Sequence, residues 1–117
     1  MPNARLRYIR SVKTATLEER LGVGMDAIRE FCEKWGIIEF ALFGSVVRDD
    51  FGPDSDIDVM VRFDPERKPS GLIAFVHVQL ELEALFGRKV DLLERRPIEN
   101  PFVRQSIRRD LTVLYAA

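Results

Sequence analysis

Asp56 and Asp58 are separated by one residue in the run Ser55-Asp56-Ile57-Asp58-Val59-Met60-Val61. On an extended strand that spacing sends both carboxylates out of one face. Carboxylates held side by side repel each other unless a cation lies between them. A hard divalent ion suits them, Mg²⁺ best of all when substrate phosphates complete its octahedron. Ile57, Val59 and Val61 point the other way and anchor the pair in a core. A third acid, Asp91, lies in Lys89-Val90-Asp91-Leu92-Leu93, where Val90 and Leu92 would face the same core. If that strand neighbours the first, three carboxylates suffice for two metal ions about 3.5–4 Å apart. One ion would activate an attacking oxygen and the other would hold a triphosphate.

Phosphate chemistry is offered just upstream. Gly44-Ser45 follows an apolar run and is followed by ten residues before Asp56. A glycine ending a strand and a serine opening a helix present backbone N–H groups where a phosphate can meet them. The bare Cα of Gly44 permits close approach, and the Ser45 hydroxyl can donate to the same oxygens. Arg48, one turn into the expected helix, could add charge or instead pair with Asp49 or Asp50. Taken singly, each signal is weak. Gly-Ser after a strand is a common turn, and Asp-x-Asp near a turn more often caps or is solvated. Asp54, Asp56 and Asp58 imitate an EF-hand start, but Val59 and Pro65 fill the positions that need glycine and glutamate. No GxxxxGK[ST] phosphate loop is present.

The elements that must carry these residues are legible from periodicity. Thr16 and Glu19 have capping-box spacing, predicting a helix through about Trp35 that Gly22 and Gly24 could split. Leu17, Leu21, Met25, Ile28, Phe31 and Cys32 give its apolar stripe. Ile37–Phe43 reads as a buried strand and Val46 to about Phe51 as a short helix. Ser55–Phe63 alternates, with Ile57, Val59, Val61 and Phe63 inward and Asp56, Asp58, Met60 and Arg62 outward. Leu72–Phe86 reads as a helix closed by Gly87, although His77–Glu83 also alternates with period two. The helix is favoured because the strands on either side need a crossover. Lys89–Glu94 is a third strand, Ile98–Arg109 a last helix and Leu111–Tyr115 a short fourth strand. The fold class expected is α/β (α+β), a small mixed sheet with helices largely on one face.

Composition narrows the class further. The chain has 117 residues, 46% hydrophobic and 32% charged, the profile of one globular domain. No apolar stretch is long enough to span a bilayer or serve as a secretory signal. The single cysteine, Cys32, can form no internal disulfide, and Cys/His metal spacing is absent, which favours the cytoplasm. Arg5, Arg7, Arg10 and Lys13 make residues 1–15 a basic, acid-free leader, a frayed terminus in the ordinary case, ahead of a domain at 16–117. With a net charge of −1 and no basic stripe interleaved with aromatics, the chain is a poor nucleic-acid module. His77, Trp35 and the cluster Arg104, Arg108, Arg109 read as ordinary helix and surface residues.

In combination the pieces become specific. Gly44-Ser45, ten residues, Asp56-x-Asp58 and a strand-borne Asp91 resemble the DNA polymerase β-type nucleotidyltransferase superfamily. In particular the chain is similar to the minimal nucleotidyltransferases (MNT) that partner HEPN-domain proteins, over roughly residues 24–115. The flanking Phe43-Gly44-Ser45-Val46-Val47-Arg48 fits as well. The resemblance implies that Gly44 and Ser45 hold the β- and γ-phosphates of ATP. It implies that Asp56 and Asp58 ligate two Mg²⁺ ions and that Asp91 ligates the one near the acceptor hydroxyl. It further implies a protein adenylyltransferase acting as antitoxin on a HEPN toxin, in a hetero-oligomer. Few residues follow Asp91 to shape an acceptor pocket, so the acceptor is expected on a partner. An antitoxin that works by occlusion alone, and a small-molecule enzyme similar to aminoglycoside nucleotidyltransferases, stay open. Asp49 stands where many relatives have Gly, and the leader has no clear counterpart.

Overall fold

A computed structural model describes residues 14–95 and 111–117. The expected helix Ile98–Arg109 with its Arg104, Arg108 and Arg109, and the leader up to residue 13, lie outside the described residues. Thr14 and Ala15, counted with the leader, are already helical.

The first helical stretch is two helices, α1 (Thr14–Leu21) and α2 (Met25–Trp35). Thr16 lies inside α1 and does not cap it, because the helix is already running at Thr14. The cap that forms belongs to α2, whose Met25 N–H donates to the Glu18 carboxylate at 2.8 Å across the glycine break. Gly36 closes α2 in the left-handed conformation, its N–H donating to the Cys32 carbonyl. Strand β1 (Ile37–Phe43) matches its expected bounds, and β2 (Ile57–Phe63), α3 (Gly71–Phe86), β3 (Val90–Glu94) and β4 (Thr112–Ala116) follow.

The four strands form a mixed sheet in the order β3-β2-β1-β4. β1 runs antiparallel to both β2 and β4, while β2 and β3 are parallel. A parallel pair needs a crossover, and α3 supplies it. Its ambiguous periodicity has a visible cause: Leu72, Ile73, Val76 and Leu80 are apolar yet exposed, so apolar residues encircle the helix. Among the described residues, the three helices pack on one sheet face, around a core that includes Phe31, Phe40, Ile57, Val59, Val61, Leu82 and Val90. The other face departs from expectation at Met60. Predicted to point outward among polar neighbours, Met60 is buried with Ala41 and Leu111, flanked by Phe43 and Val113. Among the described residues, no helix is long and apolar enough to cross a membrane.

Candidate active site

Antiparallel pairing places Phe43, the last residue of β1, opposite Asp58 of β2. The chain then turns through a 3₁₀ turn, Gly44–Val47, with Val46 and Val47 buried as its anchors. A short α-helix reaching Phe51 was expected here. Arg48 instead returns to extended backbone, and Asp49-Asp50 and Gly52-Pro53 give the turn no reason to continue. Gly44 adopts a φ of 74°, and a Cβ there would run into the Asp58 carboxylate. Only glycine fits, so the turn backbone lies directly against the acid. Ser45 is half-buried at the start of this turn, which has no side-chain cap.

Asp58 pairs in register with Asp91 of the neighbouring parallel strand. Their preceding partners Ile57 and Val90 are both buried, so the two carboxylates share the opposite sheet face. Asp56 sits just before β2 and, like Asp91, is exposed. Burial raises the half-exposed Asp58 carboxyl above its ordinary value, the charges of Asp91 and Asp56 raise it further, and Arg48 offsets a smaller part. Three acids thus act on one another across two strands. Among the described residues, however, no three acidic, histidine or cysteine side chains close around a single point. The chemistry of the three side chains suits a hard divalent cation: each offers carboxylate oxygens, and a cation would relieve the repulsion that adds to the effect of burial on Asp58.

Arg48 lies past the turn, exposed, with its Nε 3.1 Å from an Asp50 oxygen. That hydrogen bond holds the Asp50 carboxyl below its ordinary value. Of the residues left aside in the sequence, His77 is exposed on α3, and the Trp35 indole donates to Glu81 at 3.1 Å. Cys32 is fully buried, and burial with the Glu33 charge pushes its thiol up to about 12. Two residues escaped sequence reasoning. Arg20 donates to backbone carbonyls at the end of the Gly44–Val47 turn, and Arg88 to those of the loop ahead of Asp56. Their partners lie 26 and 36 residues away, so no local spacing could have signalled them.

Comparison with known proteins gives a consistent picture. A family model described as a nucleotidyltransferase domain matches residues 25–114. A Methanocaldococcus jannaschii protein provisionally named a protein adenylyltransferase is 40% identical over 79 residues, 68% of this chain and 78% of its own. Protein adenylyltransferase MntA of Thermococcus cleftensis is 36% identical over 93 residues, 80% of this chain and 91% of its own. Among solved structures, the chain is similar in fold to the complex of a tri-AMPylated Shewanella oneidensis HEPN toxin with its MNT antitoxin. There the TM-score is 0.56 at 20% identity, covering 80% of this chain and 70% of the other.

Proposed function

The chain belongs to the nucleotidyltransferase domain family, and from that premise we propose that it transfers AMP from ATP to a hydroxyl of a partner HEPN-domain toxin. The observation that carries this reading is the register of Asp58 against Asp91 beside a turn whose glycine touches Asp58. Two further facts support it. The Thermococcus relative is named for protein adenylylation, and the Shewanella toxin is AMP-modified in complex with its MNT partner.

In the proposed reaction the partner's hydroxyl oxygen bonds to the α-phosphorus of ATP. The bond from that phosphorus to the bridging oxygen breaks, pyrophosphate leaves and the hydroxyl proton is released to solvent. Gly44 and Ser45 would cradle the β- and γ-phosphates through backbone N–H groups and one hydroxyl. Asp56 and Asp58 would ligate two Mg²⁺ ions, and Asp91 the ion on the acceptor side. Bound Mg²⁺ supplies charge neutralisation at the triphosphate and a lowered pKa for the acceptor oxygen. Arg48, within the field of Asp58, would lend charge to the phosphates once released from Asp50. The modified toxin would be the neutralised one, in the cytoplasm.

Intact-mass spectrometry of the chain mixed with its HEPN partner, Mg²⁺ and ATP tests this. One or more added AMP units are expected on the partner, and none with Asp56→Ala. A stable, protective complex without any adduct would replace the enzyme by an occluding antitoxin.

A further inference from the structure

Between the phosphate turn and the carboxylate strand the chain has no regular structure from Arg48 to Asp56. Two guanidinium groups hold this stretch. Arg20, in the last turn of α1, donates through Nη1 to the carbonyls of Val46 at 2.9 Å and Arg48 at 2.5 Å. Arg88, between α3 and β3, donates through Nη1 to the carbonyls of Gly52 at 2.8 Å and Ser55 at 2.7 Å. Both guanidiniums also lie over the ring of Phe51, 5.2 Å and 4.4 Å from its centroid. The connection is therefore gripped near each end by a different element, around one shared ring.

We infer that Arg20 and Arg88 are positioning residues, Arg20 for the phosphate turn and Arg88 for the approach to the carboxylate pair. The inference rests on reading Gly44 and Ser45 as phosphate ligands and Asp56 and Asp58 as metal ligands. Val46 and Arg48 end a 3₁₀ turn, where carbonyls run out of N–H partners and a cation is favoured. Arg20 meets both needs and so fixes where Ser45 stands. Gly52 and Ser55 lie just ahead of Asp56, and Ser55 further ties this bend by accepting the Gly52 N–H at 3.0 Å. Such anchoring matters because a misplacement of about 1 Å can cost about a hundredfold in rate. Both arginines act through backbone carbonyls, so neither needs to touch substrate.

Two probes separate the roles. Mn²⁺ alone reports the carboxylates, and Mg²⁺ with a non-hydrolysable ATP analogue reports the turn as well. Arg20→Met should weaken the analogue about tenfold, the loss of a hydrogen-bonded anchor, and leave Mn²⁺ affinity unchanged. Arg88→Met should weaken Mn²⁺ about tenfold. That sign is diagnostic, since mere removal of a positive charge would, by electrostatics alone, favour cation binding. Phe51→Leu should weaken both probes. Should a methionine variant not fold, Arg20→Lys and Arg88→Lys carry the same test, because lysine keeps the charge but loses the flat face that lies on Phe51. Smaller losses of the same pattern are then expected. Equal losses on both probes by Arg20→Met, or unchanged or tighter Mn²⁺ binding by Arg88→Met, would overturn the inference while the nucleotidyltransferase reading stands. A wild-type chain that binds neither probe would overturn both.

Discussion

The two ends of the β2–β3 strand pair carry acids, and they treat them in opposite ways. At one end Asp58 faces Asp91 with Asp56 close by, and burial, then the charges of these two acids, raise the Asp58 carboxyl. At the other, Glu94 of β3 meets the Lys68 ammonium at 2.8 Å. Across the sheet, Glu39 of β1 meets the Arg95 guanidinium at 2.6 Å, with Arg62 of β2 in register beside it. The same strands, only a few residues apart, thus hold compensated and uncompensated carboxylates. An acid whose neighbours are acids costs folding free energy while it is charged, and at Asp58 the Arg48 charge offsets only a smaller part of that cost. An acid that already has its cation offers a ligand far less.

Several variants would break or sharpen that contrast. The largest effect is expected for Asp58→Asn, which should lower AMP transfer by roughly 10²–10³-fold, the scale of removing a group that stabilises developing charge. Its melting temperature should hold or rise, because like-charge repulsion is relieved. The pH dependence gives the sign. A carboxyl raised in the folded state binds a proton more readily there than in the unfolded chain, so wild-type stability gains from Asp58 as pH falls through its folded value. Asp58→Asn should lose that gain. A melting temperature that falls sharply while transfer persists would make the carboxylate structural.

Gly44→Ala comes next. Strain at positive φ and the collision with Asp58 should together cost at least about 1 kcal/mol of stability in thermal melts, with nucleotide binding lost alongside. Full nucleotide affinity in this variant would separate the turn from the acid. Ser45→Ala removes one hydroxyl and leaves the backbone, so calorimetry should show triphosphate binding weakened by about 1–2 kcal/mol. The smallest effect belongs to the compensated end. Glu39→Gln breaks a surface pair with Arg95 and should cost about 0–1 kcal/mol, with AMP transfer unchanged. A large activity loss there would erase the contrast between the two ends.

Much of this was legible in the sequence because it is local. The bounds of β1 follow from an apolar run between glycines, and the alternation of Ile57, Val59 and Val61 fixes which face bears Asp58. The helix between parallel strands follows from topology even though its own periodicity is blurred. What sequence could not show is set by distant partners. Met60 is buried because Leu111, far along the chain, packs on the face predicted to be open. The turn after Ser45 stops at Val47 for local reasons, Asp49-Asp50 and Gly52-Pro53, but that Arg20 of α1 takes the Val46 and Arg48 carbonyls left there is set by a distant partner. The Glu18 cap lies four residues before Gly22, where the break that makes it necessary begins, outside any capping-box register. Asp56 and Asp58 were visible as a pair, whereas the partnership of Asp58 with Asp91 required knowing that their strands are neighbours.

The strand order carries a consequence for how the chain is made. β1, which leads into the Gly44–Val47 turn, pairs on one side with β2 and on the other with β4, where Leu42 meets Thr112. On a ribosome delivering the chain from its N-terminus, β2 and β3 emerge well before β4 does. Until then β1 is an open edge, its outward N–H and C=O groups free to recruit a strand from another molecule. The Ala117 N–H, which bonds to the Ile38 carbonyl, finishes that seam. A nascent chain arrested before Thr112 would hold Asp56, Asp58, Asp91, Gly44 and Ser45, yet present them on a sheet whose edge is still adhesive.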